Sequence, residues 1–398
     1  MARGMNFATI MLIFTNLAVL SQLYLFLRAR RAIKSLPGPN LFKFGAIVLV
    51  GMSILLLFAA NRYIMSYPIT LSHAPTAARL CLFYLPAVWT FGSILSALML
   101  FLFDSFTGLG RVIYRIFHNP RRKELSSMNP GRRHFLRVGV SGLASTPFVL
   151  SGYGALYAGK AFKVRELALS FGCSLRVVQL TDIHAGIYMT RKDIRQVTDR
   201  VNALQPDLLV LTGDYISNSM EFLSGCIEEM ARVRAPYGAF ATLGNHEHWY
   251  GEPRHIQAVF SHYRIPLLQN THRVIRTARG VFAVAGIDDL RSGHPDLDAA
   301  LHGLDSNMPV LLLSHRPEIF PQAAAHGIPL TLAGHYHGGQ VKLSLPSGDI
   351  SLAALLTPYP AGLYRSNGSQ LYVSSGIGTT FTPVRLNVPP EITLLHLD

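Results

Sequence analysis

The sequence predicts an α/β fold, a mixed β-sheet core covered by helices, preceded by an α-helical region of about four membrane spans. Three observations carry this. The first 159 residues are dominated by long apolar runs. From about residue 164 short β-rich runs alternate with amphipathic segments, the pattern of sheets packed under helices. Short motifs ending in Asp, His or Asn then follow directly on several of the predicted strands.

Four stretches, about 5–27, 44–60, 80–103 and 138–158, are long enough to cross a bilayer, which takes roughly 17–25 apolar residues. None carries Asp, Glu, Lys or Arg internally. Intramembrane charge marks transport paths and proton relays, so the four read as anchors. A transporter is disfavoured on the same ground. The formal net charge of +14 suggests a nucleic-acid binder until it is located: residues 1–159 hold 16 Lys+Arg against 2 Asp+Glu, whereas residues 160–398 hold 20 of each. The excess belongs to the membrane region, and no nucleic-acid partner is implied.

Positive loops stay cytoplasmic. The first and third loops are rich in Lys and Arg, while the second holds only Arg62 and Arg79. Residues 160–398 are therefore expected on the extracytoplasmic face of a bacterial inner membrane. The stretch from Gly131 to Arg137, with Arg132-Arg133 before an apolar run, resembles a twin-arginine export signal and gives the same side. Three preceding spans and the lack of a clean small-x-small site after Val138 favour a retained anchor over a removed signal. Cys81 falls in a predicted span. With no C-x-x-C pair, Cys173 and Cys226 read as separate buried thiols, although an oxidising compartment would permit a disulfide.

In the second region, strands are expected at 175–180, 207–211, 238–243, 309–313, 329–332, 371–373 and 392–396. Residues 274–277 and 281–287 form a hairpin across Ala278-Arg279-Gly280. Helices are expected at 191–204, with Ile194, Val197, Val201 and Leu204 on one face, and at 221–233, 295–302 and 317–325.

Five motifs occur in order: Asp182-Ile183-His184, Gly213-Asp214, Gly244-Asn245-His246-Glu247, Ser314-His315 and Gly334-His335-Tyr336-His337. Asp182, Asp214, Asn245, His315 and His335 each sit at a predicted strand end, where ligand sites of open α/β sheets lie. In an extended segment residues i and i+2 point the same way, so Asp182 with His184, and His335 with His337, can face one site. Two carboxylates, an amide and several imidazoles exceed what one metal can use. Two adjacent divalent ions can use them, lowering the pKa of a bridging water and clamping phosphate oxygens for in-line attack. The donor set contains no thiolate and suits Mn, Fe or Zn.

This ordered set resembles the calcineurin-like metallophosphoesterase family over about residues 164–398. It is most similar to the membrane-associated bacterial phosphodiesterase branch that includes UDP-2,3-diacylglucosamine hydrolases. The resemblance also rests on Leu313-Ser314-His315-Arg316-Pro317, the run from Ala333 to Gln340, and Ser375-Gly376-Ile377-Gly378. It implies a four-layer sandwich of two β-sheets flanked by helices. It implies that Asp182, His184 and His337 hold one metal and Asn245, His315 and His335 a second. Asp214 would bridge them, and His246 would stand by the leaving group. Tyr336 departs from the family, where Thr is commoner, and its side chain is expected to point away from the metals.

His248, followed by Trp249, and Arg316 are candidates for contacting substrate. Arg316 and Arg385 could each pair bidentately with a phosphate, with a surface or salt-bridge role as the default for both. Asp288 and Asp289 read as turn formers or supports, and Gly338-Gly339 as a close approach of backbone to the metals. The remaining histidines read as surface or structural. The expected protein has a membrane anchor at 1–159 and, at 160–398, a dinuclear-metal phosphodiesterase or pyrophosphatase. Its substrate would be a phosphate ester near the membrane, such as a phospholipid or a lipid-linked nucleotide. The nucleotide-linked substrate of the named hydrolases is cytosolic, which the loop charges do not favour here. The competing reading is a non-catalytic membrane receptor or scaffold on the same fold. Oligomeric state is not read from the sequence.

Overall fold

The computed structural model describes residues 7–66, 76–117, 130–345 and 348–398. The first unit is helical: α1 (Phe7–Lys34), α2 (Asn40–Ser66), α3 (Thr76–Arg79), a π-turn (Leu80–Tyr84), α4 (Leu85–Phe117) and α5 (Pro130–Leu156). Among the described residues, Leu12–Lys34, Asn40–Tyr63 and Thr76–Tyr114 are long and apolar enough to cross a membrane. The fourth expected span folds as α5 but stands outside that set, because Gly139, Gly142, Ser141, Ser145 and Pro147 dilute its apolar character.

Several polar groups inside this unit pair with one another. Trp89 Nε1 donates to Gln22 Oε1 at 3.1 Å, and Ser96 Oγ donates to the Ala144 carbonyl at 2.8 Å. Gly92 makes room for Phe148, since a Cβ there would come within 2.7 Å of its ring. Helix α4 runs past the predicted span, so Asp104 lies within it. The Asp104 carboxylate pairs with Arg28 on α1. The expected third-loop residues Arg121, Arg122 and Lys123 lie outside the described residues.

Among the described residues, the second unit, Gly154–Asp398, holds thirteen strands. They are β1 (Lys163–Leu169), β2 (Leu175–Leu180), β3 (Leu208–Thr212), β4 (Ala239–Thr242), β5 (Thr271–Thr277), β6 (Gly280–Gly286) and β7 (Val310–Leu313), then β8 (Leu330–Ala333), β9 (Lys342–Leu345), β10 (Gly348–Ser351), β11 (Gly362–Ser366), β12 (Ser369–Val373) and β13 (Glu391–Leu397). The helices are α6 (Arg191–Ala203), α7 (Leu223–Met230), α8 (Asn245–Tyr250), α9 (Pro253–His262), α10 (Leu297–Leu301) and α11 (Phe320–Ala325).

One sheet runs β1-β13-β2-β3-β4 and the other β11-β12-β8-β7-β6-β5; both mix parallel and antiparallel pairs. Strand alternation explains the layering. Leu208 and Val210 point into the core between the sheets with Phe282, Leu311 and Leu330, while Leu209 and Leu211 face Ile194, Val197 and Ile227 of the helices outside. On the far side Ala283, Ala285 and Leu312 pack against Leu297 and Ala300 of α10. The result is a four-layer helix–sheet–sheet–helix sandwich. The central strands of both sheets are buried on both faces, hence their near-continuous apolar sequence. Cys173 and Cys226 are free and sit in different cores.

Candidate metal centre

Strands β2, β3 and β4 run parallel, as do β6, β7 and β8, so their carboxyl ends share an edge of each sheet. Gln179 ties the two edges together, its amide donating to Thr212 Oγ1 and to the Ala333 carbonyl, both at 3.0 Å. Every motif leaves its strand there.

The expectation that Asp182/His184 and His335/His337 converge through strand alternation is corrected. The backbone at these four residues is left-handed, with φ of 53°, 48°, 76° and 50°, and Asp214 has φ 56°. Such conformations are uncommon outside glycine and persist only where the surroundings impose them. The chain turns sharply at each strand end, and the turns bring the side chains together. Cross-bonds hold them: His184 N donates to the Asp214 carbonyl at 2.9 Å, and Gly378 N to the Asp182 carbonyl at 2.7 Å.

Two glycines before the ligands are required by packing. A Cβ at Gly244 would come 2.2 Å from Asp214 Oδ1, and one at Gly334 would come 2.3 Å from Asp182 Oδ2. Gly338 and Gly339, read from the sequence as the close approach, instead abut Val388 and Ser351.

Asp182, His184 and His337 form one group able to hold a cation, and Asp214, His315 and His335 another. In the first, His337 Nε2 lies 3.4 Å from Asp182 Oδ1 and 3.1 Å from His184 Nε2. In the second, His315 Nε2 lies 3.1 Å from His335 Nδ1 and 3.2 Å from Asn245 Oδ1. A single oxygen, Asp214 Oδ2, faces both: it is 3.3 Å from His315 Nε2 and 3.6 Å from His184 Nε2. The other oxygen, Oδ1, is taken by the His246 backbone N–H at 2.9 Å.

Second partners set the imidazoles. His315 Nδ1 faces the Thr212 carbonyl at 2.9 Å, which places its proton there and leaves Nε2 as the donor atom. His246 Nδ1 does the same with the Ser217 carbonyl at 2.5 Å, turning Nε2 towards Asp214 Oδ2, 3.9 Å away.

The electrostatics are those of a carboxylate among imidazoles. Burial lowers the pKa of His184 to about 3 and pushes those of His335 and His337 well down, keeping all three neutral. Burial raises Asp182 to about 6. For His315 burial also acts downwards, but the Asp214 charge outweighs it and raises the group to about 10. Asp214 is held well below the ordinary carboxylate range, because His315 and His246 overcome the effect of burial. The neutral imidazoles of His184, His335 and His337 beside the ionised Asp214 suit divalent transition metals. The residues present therefore fit such ions.

Arg316 is neither free nor on the surface. Its Nε donates to Asp289 Oδ2 at 2.9 Å, and its terminal nitrogens lie 3.1 Å from Asn245 Oδ1 and 2.5 Å from His335 Nε2. His248 Nε2 lies 2.7 Å from Asp288 Oδ1, a contact that raises the pKa of His248. Asp288 and Asp289 are thus supports as well as turn formers. Trp249 and Tyr250 flank His246, with ring centroids 5.1 and 5.6 Å from its ring, and both are partly exposed. Tyr336 points to Glu318, to which its hydroxyl donates. His255, His262, His294, His302 and His326 are exposed, and His272 and His396 half-buried.

Two supporting roles escaped the sequence reading. Glu247, buried, accepts from the backbone N–H groups of Asp214, Tyr215 and Gly244 at 2.9, 2.8 and 3.0 Å, clamping two ligand turns together. Its position three residues after Gly244 at a helix start was the available signal. Arg385 is fully buried, contrary to its default surface reading. It donates to the carbonyls of Ser375 at 2.9 Å, Gly376 at 3.1 Å and Val388 at 3.2 Å, with His337 Nδ1 3.3 Å away. No local pattern announces those partners.

A family model described as calcineurin-like phosphoesterase matches residues 175–345, which hold every ligand candidate. A Bacillus subtilis protein named as an uncharacterized metallophosphoesterase is 31% identical over 226 residues, covering 56% of this chain and 78% of that one. A Helicobacter pylori protein of similar name is 30% identical over 306 residues, covering 74% of this chain and 77% of its own. A Danio rerio transmembrane protein with metallophosphoesterase domain is 31% identical over 269 residues, covering 63% of this chain and 60% of that protein. Two mixed sheets with metal-type ligands gathered at their shared edge agree with these likenesses, and the chain belongs to the calcineurin-like metallophosphoesterase family.

Proposed function

We propose that this chain is a membrane-anchored, dinuclear-metal phosphodiesterase or pyrophosphatase. One observation carries the reading: Asp214 Oδ2 faces the Asp182–His184–His337 group and the Asn245–His315–His335 group at once. Asp182, His184 and His337 would hold one divalent ion, Asn245, His315 and His335 would hold a second, and Asp214 would serve both. Mn, Fe and Zn all suit this donor set. Two such ions supply an activated water and charge neutralisation at phosphate oxygens.

The chain's own residues do the rest. His246 keeps one proton at Nδ1 against the Ser217 carbonyl, so a second proton at Nε2 is available to the leaving oxygen. Glu247 and Arg385 keep the ligand turns in place, and Trp249 and Tyr250 offer flat apolar walls beside His246.

The favoured substrate is a phosphodiester or pyrophosphate in a lipid or attached to one, because the same chain carries membrane-length helices. The loop charges support a multi-pass inner-membrane protein with the 160–398 domain on the extracytoplasmic side. The α5 segment, Pro130–Leu156, is then a fourth, less apolar span. Hydrolysis of bis-p-nitrophenyl phosphate and p-nitrophenyl phosphate by the full chain with Mn²⁺, against Asp214→Asn, tests the proposal. Diester cleavage lost in the variant supports it. No turnover of either ester by metal-loaded, folded protein refutes it.

A further inference from the structure

The β9–β10 hairpin pairs with neither main sheet. Its two faces differ. Leu343 lies directly opposite Ile350, and Leu345 shares their face two residues along. On the other face Lys342 Nζ pairs with Asp349 at 2.7 Å. The apolar surface continues through Leu352, Leu355 and Leu356 in the turn that follows. All six are between 39% and 78% exposed. Between residues 163 and 398, ten large apolar side chains are exposed among the described residues, and these six fall within fourteen positions. Scattered exposed leucines need no explanation, but a contiguous group does.

We propose that this hairpin and the turn after it dock against the hydrocarbon–headgroup boundary of a phospholipid bilayer, holding the site mouth at the lipid surface. The inference rests on the reading of the site as a phosphoesterase with a membrane-borne substrate. The bilayer is the chosen occupant because three membrane-length helices of the same chain tether every copy of the domain to one. The hairpin is also fastened to the ligand turns. Lys342 N donates to the Leu386 carbonyl at 3.0 Å, and a Cβ at Gly339 would strike Ser351 at 2.9 Å. Beyond the turn, Thr357 Oγ1 donates to Glu318 at 2.9 Å, the carboxylate that Tyr336 also reaches. Lipid contact at Leu355 is thus linked mechanically to His335 and His337.

The test uses the full chain with Cys81→Ser, reconstituted in phosphatidylcholine–phosphatidylglycerol vesicles, with a nitrobenzoxadiazole label at Leu355→Cys. Val274→Cys, another exposed apolar position of the domain, is the control. The label at 355 should emit to the blue and be quenched by acyl-brominated phosphatidylcholine, while that at 274 stays water-like. Equal, water-like emission at both positions overturns the proposal. So does a blue shift at 355 that brominated lipid leaves unquenched and dilution in lipid abolishes, since the surface then meets a second copy. In parallel, Leu352→Glu with Leu355→Glu should lower turnover of a vesicle-embedded phosphodiester about tenfold per leucine, with turnover of soluble bis-p-nitrophenyl phosphate kept. Equal loss on both substrates would mean that the hairpin acts through the fold, against the proposal. If the parent chain cleaves neither ester but quenching at 355 persists, the phosphoesterase reading fails and the docking surface stands.

Discussion

Asp214 and Glu229 are two carboxylates of one domain whose side chains are nearly or fully hidden from solvent, and their surroundings are opposite. Glu229 accepts from Arg191 Nε at 2.8 Å and from terminal nitrogens of Arg195 and Arg232 at 2.7 Å. Those guanidiniums are 45–53% exposed. Asp214 has imidazoles instead, namely His315, His184 and His246. Three permanent cations satisfy a buried charge from within the protein. Imidazoles, unlike guanidiniums, can give up a proton and become nitrogen donors, so donor atoms and negative charge face the same small space, an arrangement that suits metal ions. Burial of charge is common to both; the neighbours' chemistry separates a structural cluster from a candidate metal centre.

The largest effect that would break this contrast is expected at Asp214. Asp214→Asn should abolish diester turnover, with a loss at or beyond the ~10²–10⁴-fold of a single acid–base group. It should also remove the rise in Tm that added Mn²⁺ gives the parent protein, since a ligand stabilises only what it binds. Metal content by elemental analysis and a melting curve check both. Retained metal binding in the variant would sink the shared-oxygen reading.

His246→Gln comes next. Turnover should fall by about 10²–10⁴-fold with metal content unchanged. The loss should be smaller for p-nitrophenolate than for an alkoxide leaving group, which needs the proton more. A loss independent of the leaving group would assign His246 to support rather than proton transfer.

Arg385→Met sharpens the comparison by removing a buried cation that serves carbonyls rather than a carboxylate. The freed carbonyls of Ser375, Gly376 and Val388 each cost ~1–3 kcal/mol when left unsatisfied. Metal affinity at the His337 group should drop roughly 10–100-fold as that turn loosens. Thermal melting and metal titration separate the two effects.

Glu229→Gln should be mildest, about 1–2 kcal/mol, because solvent screens its exposed arginines. Metal binding should not change. The carboxyl's pKa is brought from the ordinary 4.5 down to about 2, with burial opposing and the arginine hydrogen bonds prevailing. The folded state therefore binds a proton less readily than the unfolded one. The stabilisation is full above about pH 4.5 and is lost as pH falls towards about 2. Parent and variant should accordingly differ in Tm at pH 7 and converge near pH 2.

The outcomes element by element show where local information suffices. Strands β2, β3, β7 and β8 were readable because they are short apolar runs buried on both faces and ended by polar turns. Edge strand β1, with the exposure pattern of a half-covered element, and the hairpin β9–β10 gave no such contrast and went unread. Helix α8 begins inside the third motif, so its residues looked like site rather than helix. In α5, apolar length without apolar density suggested a span, but the helix is rich in Gly and Ser.

The sequence alone carries the order of the candidate ligands, their place at strand ends and the two-unit pattern of charge and hydropathy. These follow from composition and periodicity, which are local. Tertiary structure alone decided which oxygen of Asp214 is shared, because Oδ1 is claimed by a backbone N–H thirty-two positions away. It also decided that Asp182, His184, His335 and His337 converge through left-handed turns rather than strand alternation, since such conformations are imposed only by contacts across both sheets. Arg385 became a buried brace, and Glu247 a clamp, for the same physical reason: their partners are backbone groups, and backbone groups carry no residue-specific signature until the chain is folded.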